Sequence, residues 1–380
     1  MNEFFSAVRS RLATGVNAVI GALVLLTIGH ASAQPVPANV AVPFYTPPAF
    51  MQGVHRHWYA PRAAEFATQA DTLASAMAQL CSADATAAAQ ALQRSRAQWQ
   101  ASAIAWDRLA AVAIGPLLQR RSQRQIDFAP TRPELIARAI RSAPANALAM
   151  ERIGTPAKGF PALEWLLWSK PLALHSPHSP ACRYAQQLAL EISDEAKALA
   201  QAFDELAARD WLADEEAAAS AMSEMVNQWV GGLERLRWAQ MEKPLHNARQ
   251  AGQGGHNGHG APVFPRSTSG TTARSWTAQW DGIRSLAVAL EQQPPEPGKG
   301  LVALETYLRG RGLNPLAGKL LAAVQQVQQA LPAAMPSATP ADSAGLLIAT
   351  KSLGKLKRLV EAEVAPALEV NIGFSDADGD

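Results

Sequence analysis

Apolar residues recur at helical spacing along almost the whole of this 380-residue chain. Leu92, Trp99 and Trp106 follow one another at seven-residue intervals, and Leu109 extends the same face, which predicts one long helix from about Asp84 to Ile114. Sustained alternation of apolar and polar residues, typical of a half-buried strand, is not found. The pattern predicts an all-α protein built from helical bundles, with further helices around residues 188–206, 222–236, 276–290, 320–331 and 353–364.

A nine-residue motif occurs in two similar copies in the chain. Residues 159–167 and 300–308 share the pattern Gly-(Phe/Leu)-x-Ala-Leu-Glu-x-x-Leu, so each copy keeps a glycine and a glutamate, Glu164 in the first and Glu305 in the second. In such a motif the glycine ends one segment, and the short helix after it presents a carboxylate. The backbone conformation would then determine where that charge lies. The repeat predicts two halves related by a pseudo-duplication, and the length is sufficient for two domains.

Stretches rich in glycine and proline suggest where the domains begin and end. We predict a signal peptide over 1–33, a proline-rich extended arm over 34–60, a first helical bundle over 61–245, a Gly/His/Ser-rich linker over 246–272 and a second helical bundle over 273–380. The signal peptide is indicated by Arg9 and Arg11, an apolar run from Val16 to Ile28, and small residues before the expected cleavage site. The mature protein would therefore be exported, and we place it in the periplasm.

Export bears on the two cysteines, Cys81 and Cys182, because an oxidising compartment lets them pair. We predict a disulfide between them, the alternative being two separate buried thiols. After the signal, no apolar run reaches the length of about 20 residues that a membrane-spanning helix needs. A net charge of +2 provides no broad basic field, so nucleic acid is not an expected partner.

Glu164 is the first candidate for a functional side chain. Pro161 suits the first position of a helix and places Glu164 about one turn in, where the helix dipole stabilises a carboxylate by about 0.3–1 kcal/mol. Glu164 and Glu305 could thus have a purely structural role. Trp165 and Trp168 nevertheless suggest an apolar surround for Glu164, in which a carboxylate needs a partner. Asp127, close to Arg124, could supply a polar neighbour or could form an ordinary surface ion pair.

Several segments together resemble those of one known family. Gly159-Phe160-Pro161-Ala162-Leu163-Glu164 is similar to a Gly-x-His-x-x-Glu signature. Trp99, Trp106 and Gly115-Pro116, with the stretch from Arg124 to Phe128, resemble a tryptophan helix and an Arg-Ile-Asp stretch. Residues 182–185 and 225–233 resemble middle helices, and residues 373–380 resemble the usual C-terminus, of the same family. These features resemble the imelysin family of exported bacterial proteins, and the resemblance extends over most of the mature chain.

The resemblance implies a pair of four-helix bundles and a link to iron-regulated, exported proteins of metal uptake. The family is named for a proteolytic activity, and the His and Glu of its signature are taken as metal ligands. Here Pro161 stands at the histidine position and Val302 at the same place in the second copy, and neither side chain can ligate a metal. His-Glu-x-x-His is also absent. We therefore expect no catalytic residues, and a metal-dependent peptidase remains the weaker alternative.

Other residues could complete a metal site. The histidines form three pairs in predicted loops, His55 with His57, His175 with His178, and His256 with His259, of which the last could bind a borderline divalent metal weakly. Asp376, Asp378 and Asp380 resemble only the start of a calcium loop. The tryptophans on the apolar stripes are more typical of a core than of a ligand platform.

The sequence as a whole predicts a site where the two bundles meet. We expect Gly159, Glu164, Asp127, Trp106 and Glu305 to contribute to binding, with Glu164 as the metal ligand. The ligand would be iron or another divalent or trivalent ion, free or as a chelate. The predicted function is non-enzymatic and associated with metal-ion uptake, and the further alternative is a scaffold that binds an envelope protein.

Overall fold

The structure is a computed structural model that describes residues 40–174, 179–253, 261–289, 293–334, 336 and 343–373. Throughout these residues the regular elements are helices, which confirms the all-α prediction. The predicted signal peptide, His175, His178, His256, His259 and the C-terminal aspartates lie outside the described residues. The α-helices are α1 Pro47–Val54, α2 Ala60–Ser82, α3 Ala88–Leu109, α4 Pro116–Gln119, α5 Ser122–Ile126, α6 Pro133–Ser142, α7 Ala147–Glu151, α8 Gly159–Glu164, α9 Pro180–Ala208, α10 Glu215–Glu234, α11 Lys243–Gln253, α12 Thr272–Ala287, α13 Leu304–Gly310, α14 Asn314–Ala330, α15 Ala344–Leu359 and α16 Ala365–Ala367.

Several of these helices continue without a break into wider, π-helical turns. Such turns follow α1, α8, α10 and α15, at His55–Tyr59, Trp165–Ser169, Arg235–Glu242 and Val360–Val364. In a π-helix the hydrogen bond joins residues five apart, and such turns are often found at functional sites. The segment Arg235–Glu242 connects α10 to α11 directly, so residues 215–253 form one continuous helical rod.

Two sets of helices make the main contacts. In the first, α2 packs against α3 and α9, and α8 packs against α9. In the second, α14 packs against α13 and α15. Although the sequence places α10 in the first bundle, it packs against α1, α12 and α15, while α12 also packs against α3. Contacts join the described residues into one compact unit, and both the duplication and the division into two bundles stay predictions.

The apolar stripes face the interior as the sequence predicts. The tryptophans assigned to them, Trp99, Trp106, Trp229, Trp276 and Trp280, are all fully enclosed. Each such side chain removes a large apolar area from water, and burying one contributes several kcal/mol before the entropy of ordering is subtracted. The interpretation of these residues as core is confirmed.

Within the predicted arm, residues 40–46 form no regular element, but the part from Pro47 onward is helical, which the sequence did not predict. Pro47 and Pro48 begin α1, and the hydroxyl oxygen of Thr46 accepts a hydrogen bond from the Ala49 N–H at 3.4 Å. Proline is tolerated in the first turn of a helix because the N–H that it lacks has no helical partner there. Phe50 and Trp58 are fully buried, so this segment belongs to the core. His55, predicted to lie in a loop, is buried in the π-helical turn and stacks on Trp211.

The predicted linker is also largely ordered. Its first part is the end of α11, and residues 261–271 form turns in which Phe264, Arg266 and Thr271 are buried. Glycine, serine and proline are typical of flexible connections, but they are equally typical of tight turns that pack against a surface. Only residues 254–260 within it lie outside the described part of the chain.

A disulfide joins Cys81, near the end of α2, to Cys182, in the first turn of α9, with a Cα–Cα distance of 5.5 Å. The predicted pairing of the two cysteines is therefore confirmed. The cross-link fixes the position of α2 relative to α9, the pair of helices with the most extensive packing in the first set. Across the described residues, no helix combines the length and apolar character that crossing a bilayer requires.

Candidate functional site

An open cleft of about 1190 Å³ lies beside α3, α8 and the helical rod that contains α10 and α11. Its wall is partly aromatic, with Trp106, Phe128, Trp165, Trp238 and Phe264. Charged groups also line it, and among them are Asp107, Asp127, Glu164, Arg235 and Arg266. A large cleft with apolar walls and a few converging polar groups is the usual form of a site for an organic ligand.

Arg266 and Asp127 form the central ion pair of the cleft. The guanidinium donates from both terminal nitrogens, Nη1 to Asp127 Oδ1 and Nη2 to Asp127 Oδ2, each at 2.8 Å. Asp127 Oδ2 also accepts a hydrogen bond from the indole Nε1 of Trp106 at 2.9 Å. Paired donors that match both oxygens of a carboxylate give a geometrically specific interaction. Gln123 Nε2 also donates to Asp127 Oδ2 at 3.2 Å, so three neighbours hold Asp127 in place.

Two more carboxylates lie around the same guanidinium. Asp107, next to Trp106 on α3, accepts from Arg266 Nη2 at 3.3 Å and is almost fully buried. Glu164, at the end of α8, accepts a hydrogen bond from the backbone N–H of Ser269 at 2.8 Å. Glu164 also interacts electrostatically with Arg266. One cation therefore compensates three acidic groups.

The pKa values reflect this arrangement. Burial works against the charge of Arg266, but Asp127, Asp107 and Glu164 outweigh it and hold the pKa of the guanidinium above its usual value. Burial raises the pKa of Asp107 to about 6, although Arg266 opposes the rise. Burial likewise raises the pKa of Glu164, against the opposing effects of Arg266 and Ser269. Two groups of the cleft thus take up protons more readily than ordinary carboxylates.

The backbone at Arg266 is strained, with φ at 64°. Side chains other than glycine rarely adopt this left-handed conformation, which costs about 1–2 kcal/mol. The ion pairs with Asp127 and Asp107 offset that cost. They hold the turn in the one geometry that directs the guanidinium toward the carboxylates.

A pH-dependent stability follows from Asp107. Because its pKa is about 6 in the folded protein and 3.8 for an ordinary aspartate, the folded state binds more protons than the unfolded state between these two values. The contribution of Asp107 to the free energy of unfolding therefore decreases as pH rises through this window. We expect Asp107→Asn to flatten this part of the profile, measured by urea unfolding at several pH values. The exposed Asp204→Asn should leave the slope as it is, and an equal slope in both variants would contradict the prediction.

Gly159 positions the site through its backbone rather than by contacting a ligand. Its φ is +68°, and a Cβ atom at this position would lie 2.0 Å from the carbonyl oxygen of Ile126. Only glycine lets the start of α8 approach the end of α5 so closely. Asp127 directly follows Ile126, so this contact brings Asp127 and Glu164 to the same cleft. We had expected Gly159 to take part in binding, but it does not line the cleft.

Apart from Gly159, four residues were predicted to form the site. The structure brings three of them together in the cleft and places the fourth, Glu305, elsewhere. Trp106, Asp127 and Glu164 all line the cleft, as does Pro161, which occupies the histidine position of the signature. Glu305 does not line it; this carboxylate is buried on α13 and pairs with Arg309 one turn later. The second copy of the motif therefore uses its glutamate in an ion pair of its own, as the structural alternative allowed.

A bare metal ion does not fit the side chains of the cleft as they stand. Among the described residues, no group of three or more His, Cys, Asp or Glu side chains is arranged to hold an ion. Asp107, Asp127 and Glu164 converge, but a guanidinium already lies among them and their oxygens are directed at it and at Ser269. The expectation that Glu164 alone would anchor a metal gains no support from this geometry.

Sequence reasoning did not find Arg266, Asp107 or Arg235. Arg266 lies in a segment whose composition suggested a linker. Asp107 carried a usable signal, since it is an acidic residue flanked by Trp106 and Leu109 on a buried helix, where a charge needs a partner. Arg235 gave none, because an arginine at the end of a polar helical stretch is most often exposed.

The chain is similar in sequence and in fold to known proteins. The family model for M75 peptidases, described as imelysin, matches residues 59–358. An imelysin-like protein from Psychrobacter arcticum 273-4 superimposes with a TM-score of 0.65 at 20% sequence identity, over 88% of this chain and 100% of that chain. A protein from Parabacteroides distasonis ATCC 8503, assigned as an iron-regulated protein A precursor, gives 0.64 at 14% identity, over 86% and 96%. At these identities the two structures bear on the fold alone. A comparison with curated proteins gives no match.

Proposed function

This chain belongs to the imelysin family, and on that premise we propose that it is an exported, non-enzymatic protein of metal-ion acquisition that binds its metal as a chelate. The cleft beside α3, α8 and α10 is its binding site. In this proposal the protein acts in the periplasm, and its ligand is an organic molecule that carries iron or another divalent or trivalent ion.

The observation that carries the proposal is that the carboxylates in the cleft already accept hydrogen bonds from groups of the protein. Asp107 and Asp127 both accept hydrogen bonds from Arg266. An entering ion would have to displace this guanidinium from a buried position, which costs several kcal/mol. A chelate brings its own ligand atoms and leaves the ion pairs intact. The cleft volume of about 1190 Å³ is sufficient for an organic molecule of this kind.

The neighbours support the link to metal acquisition at the level of the family. One of the two superimposed proteins is assigned as iron-regulated. Pro161 argues against the proteolytic alternative, since it replaces the histidine of the signature. That alternative nevertheless keeps one supporting observation: Glu164 and Asp107 both have raised pKa values in a cleft, as general acids and bases often do.

The test is calorimetry and elemental analysis of the mature protein. We expect free ferric, ferrous, zinc, calcium and manganese ions to bind no tighter than millimolar, and a ferric chelate of a small organic acid to bind near one equivalent. Binding of one free ion near one equivalent, lost in Glu164→Ala but kept in the exposed variant Glu134→Ala, would contradict the proposal and favour direct ligation.

The alternatives give different results in the same samples. A peptidase requires metal-dependent cleavage of a protein substrate that Glu164→Ala abolishes. A scaffold for an envelope protein requires that neither free ions nor chelates bind, with function unaffected by Glu164→Ala. Either result would replace chelate binding as the function of the cleft.

A further inference from the structure

The acidic side chains that line the described part of the cleft all have a partner, whereas the basic side chains that line it do not all have an acidic one. Asp107 and Asp127 pair with Arg266, and Glu234 pairs with Arg237 at 2.6 Å and with Lys357 at 3.4 Å. Glu164 accepts the Ser269 N–H and lies close enough to Arg266 for a favourable interaction. Each carboxylate that lines the described part of the cleft therefore has a partner.

Arg235 has no such partner. It begins the π-helical segment, lines the cleft and donates one hydrogen bond, from Nη1 to the carbonyl oxygen of Ala110 at 3.0 Å. Among the described residues no carboxylate lies within ion-pair distance of its guanidinium, and Asp127 acts on it only from further away. Two other partly buried arginines have carboxylate partners, Arg237 with Glu234 and Arg309 with Glu305. Arg62 and Arg96 instead donate to carbonyl and hydroxyl oxygens.

The lack of a carboxylate partner costs free energy because Arg235 is largely buried. Burial lowers the pKa of its guanidinium, and the distant Asp127 only partly opposes the shift. The side chain keeps some exposure, because it lies at the inner wall of an open cleft and not in the closed core. A buried charge with unused donors is stabilised by any anion that reaches it.

Other residues that line the same cleft add three features to which a ligand could bind. Gln240, on the same π-helical segment, lines the cleft with a buried side-chain oxygen that lacks a donor among the described residues. Trp238 and Trp165 provide aromatic surface. Lys243 and Arg124 are exposed at the cleft and have no ion pair in the described part of the chain, so they would attract an anion from solution.

We propose that the cleft binds an aromatic organic acid through Arg235, with the acid's carboxylate on the guanidinium and its ring between the tryptophans. In the free acid a hydroxyl group of the ligand would donate to Gln240; in the ferric complex that oxygen is deprotonated on the metal, and the contact of the carboxylate with Arg235 remains. This inference rests on the proposed function and narrows it, because an aromatic hydroxy acid is also a chelator of ferric iron through hard oxygen atoms. The ligand class is therefore anionic, planar and oxygen-donating.

The probes for the test are salicylate, salicylamide and the ferric complex of salicylate. Salicylate and salicylamide share the ring and the hydroxyl group but differ in the negative charge, so their affinity ratio reports on the anion site alone. We expect salicylate to bind at least about tenfold more tightly, as a charge-assisted hydrogen bond to a guanidinium requires. The preference should weaken with increasing salt.

Variants test whether the preference for salicylate over salicylamide depends on Arg235. Arg235→Gln should abolish it, Arg235→Lys should keep part of it, and Arg94→Gln, an exposed position on α3, should leave it unchanged. If Arg235→Gln melts early, Lys243→Gln remains informative: this exposed residue cannot affect the core, and its loss should weaken salicylate binding about two- to threefold without affecting salicylamide.

The outcomes separate the two proposals. Equal affinity for salicylate and salicylamide, or a preference that survives in Arg235→Gln, would overturn the anion site while leaving chelate binding open. An Arg235-dependent preference for salicylate, together with no binding of the ferric complex, would support the anion site and reject the role in metal acquisition. No binding of any of the three probes would reject both.

Discussion

Replacing Arg266 by alanine is expected to lower the free energy of unfolding by about 3–5 kcal/mol at pH 7, the range for removing one partner of a buried ion pair. The guanidinium is nearly enclosed, and its loss would leave Asp107 and Asp127 close together without a counter-charge. Glu164 would lose a favourable charge as well. Urea unfolding followed by circular dichroism measures the change.

Two controls identify the cause of this loss. Arg94→Ala removes an exposed arginine from α3 and should change stability by less than about 0.5 kcal/mol. Combining Arg266→Ala with Asp127→Ala should cost less than the sum of the single changes, because the second substitution removes one of the stranded charges. If Arg266→Ala cost less than about 1 kcal/mol, the carboxylates would not depend on this guanidinium, and the argument against a bare metal ion would fail with it.

The second large effect is expected from the disulfide. Replacing both Cys81 and Cys182 by alanine should lower the free energy of unfolding by about 4–5 kcal/mol, since a cross-link that closes a loop of about 100 residues restricts the unfolded chain strongly in the chain-entropy model. The sequence separation of 101 places this pair near the upper end of that range. Because the effect acts on the unfolded state, the folded variant should keep the near-ultraviolet circular dichroism of the parent.

A reducing agent provides the matched comparison. Dithiothreitol should lower the stability of the parent protein to about that of the double variant and should leave the variant itself unchanged. Equal stability of the parent with and without dithiothreitol would mean that the two sulfurs contribute no cross-link. Two separate buried thiols would then be the correct interpretation.

Helix positions could be predicted from the sequence, whereas the partners of the charged groups could not. The seven-residue spacing of Leu92, Trp99 and Trp106 determines which face of α3 is buried, because a side chain's face depends only on its place in the helical period. The helix itself runs over Ala88–Leu109, close to the predicted span. Such local periodicity needs no knowledge of the rest of the chain.

Arg266 shows why the site was harder to predict. Its ion pair with Asp127 joins residues 139 positions apart, and nothing in the local sequence around either residue specifies the other. The motif around Glu164 suggested this residue, which lines the cleft. It also suggested Glu305, because a repeated sequence repeats the local helix but not the neighbours that a helix meets in the fold.

The end of the predicted arm shows the opposite error, since the chain is helical from Pro47 onward. Prolines exclude regular hydrogen bonding inside an element, and this led to the expectation of an extended arm, but they are compatible with a helix that begins at them. Whether a proline interrupts a helix or begins one depends on the residues that follow it. Here Phe50, Met51 and Val54 form the buried face of α1.

The π-helical segment Arg235–Glu242 determines the angular register of everything that follows it in the rod. Each residue of an α-helix turns the chain by about 100°, so the wider turns rotate α11 relative to the direction that an uninterrupted α-helix would give. Lys243, Pro244 and Asn247 reach the cleft in this rotated register. The wider turns thus set which face of the rod's second half lines the cleft.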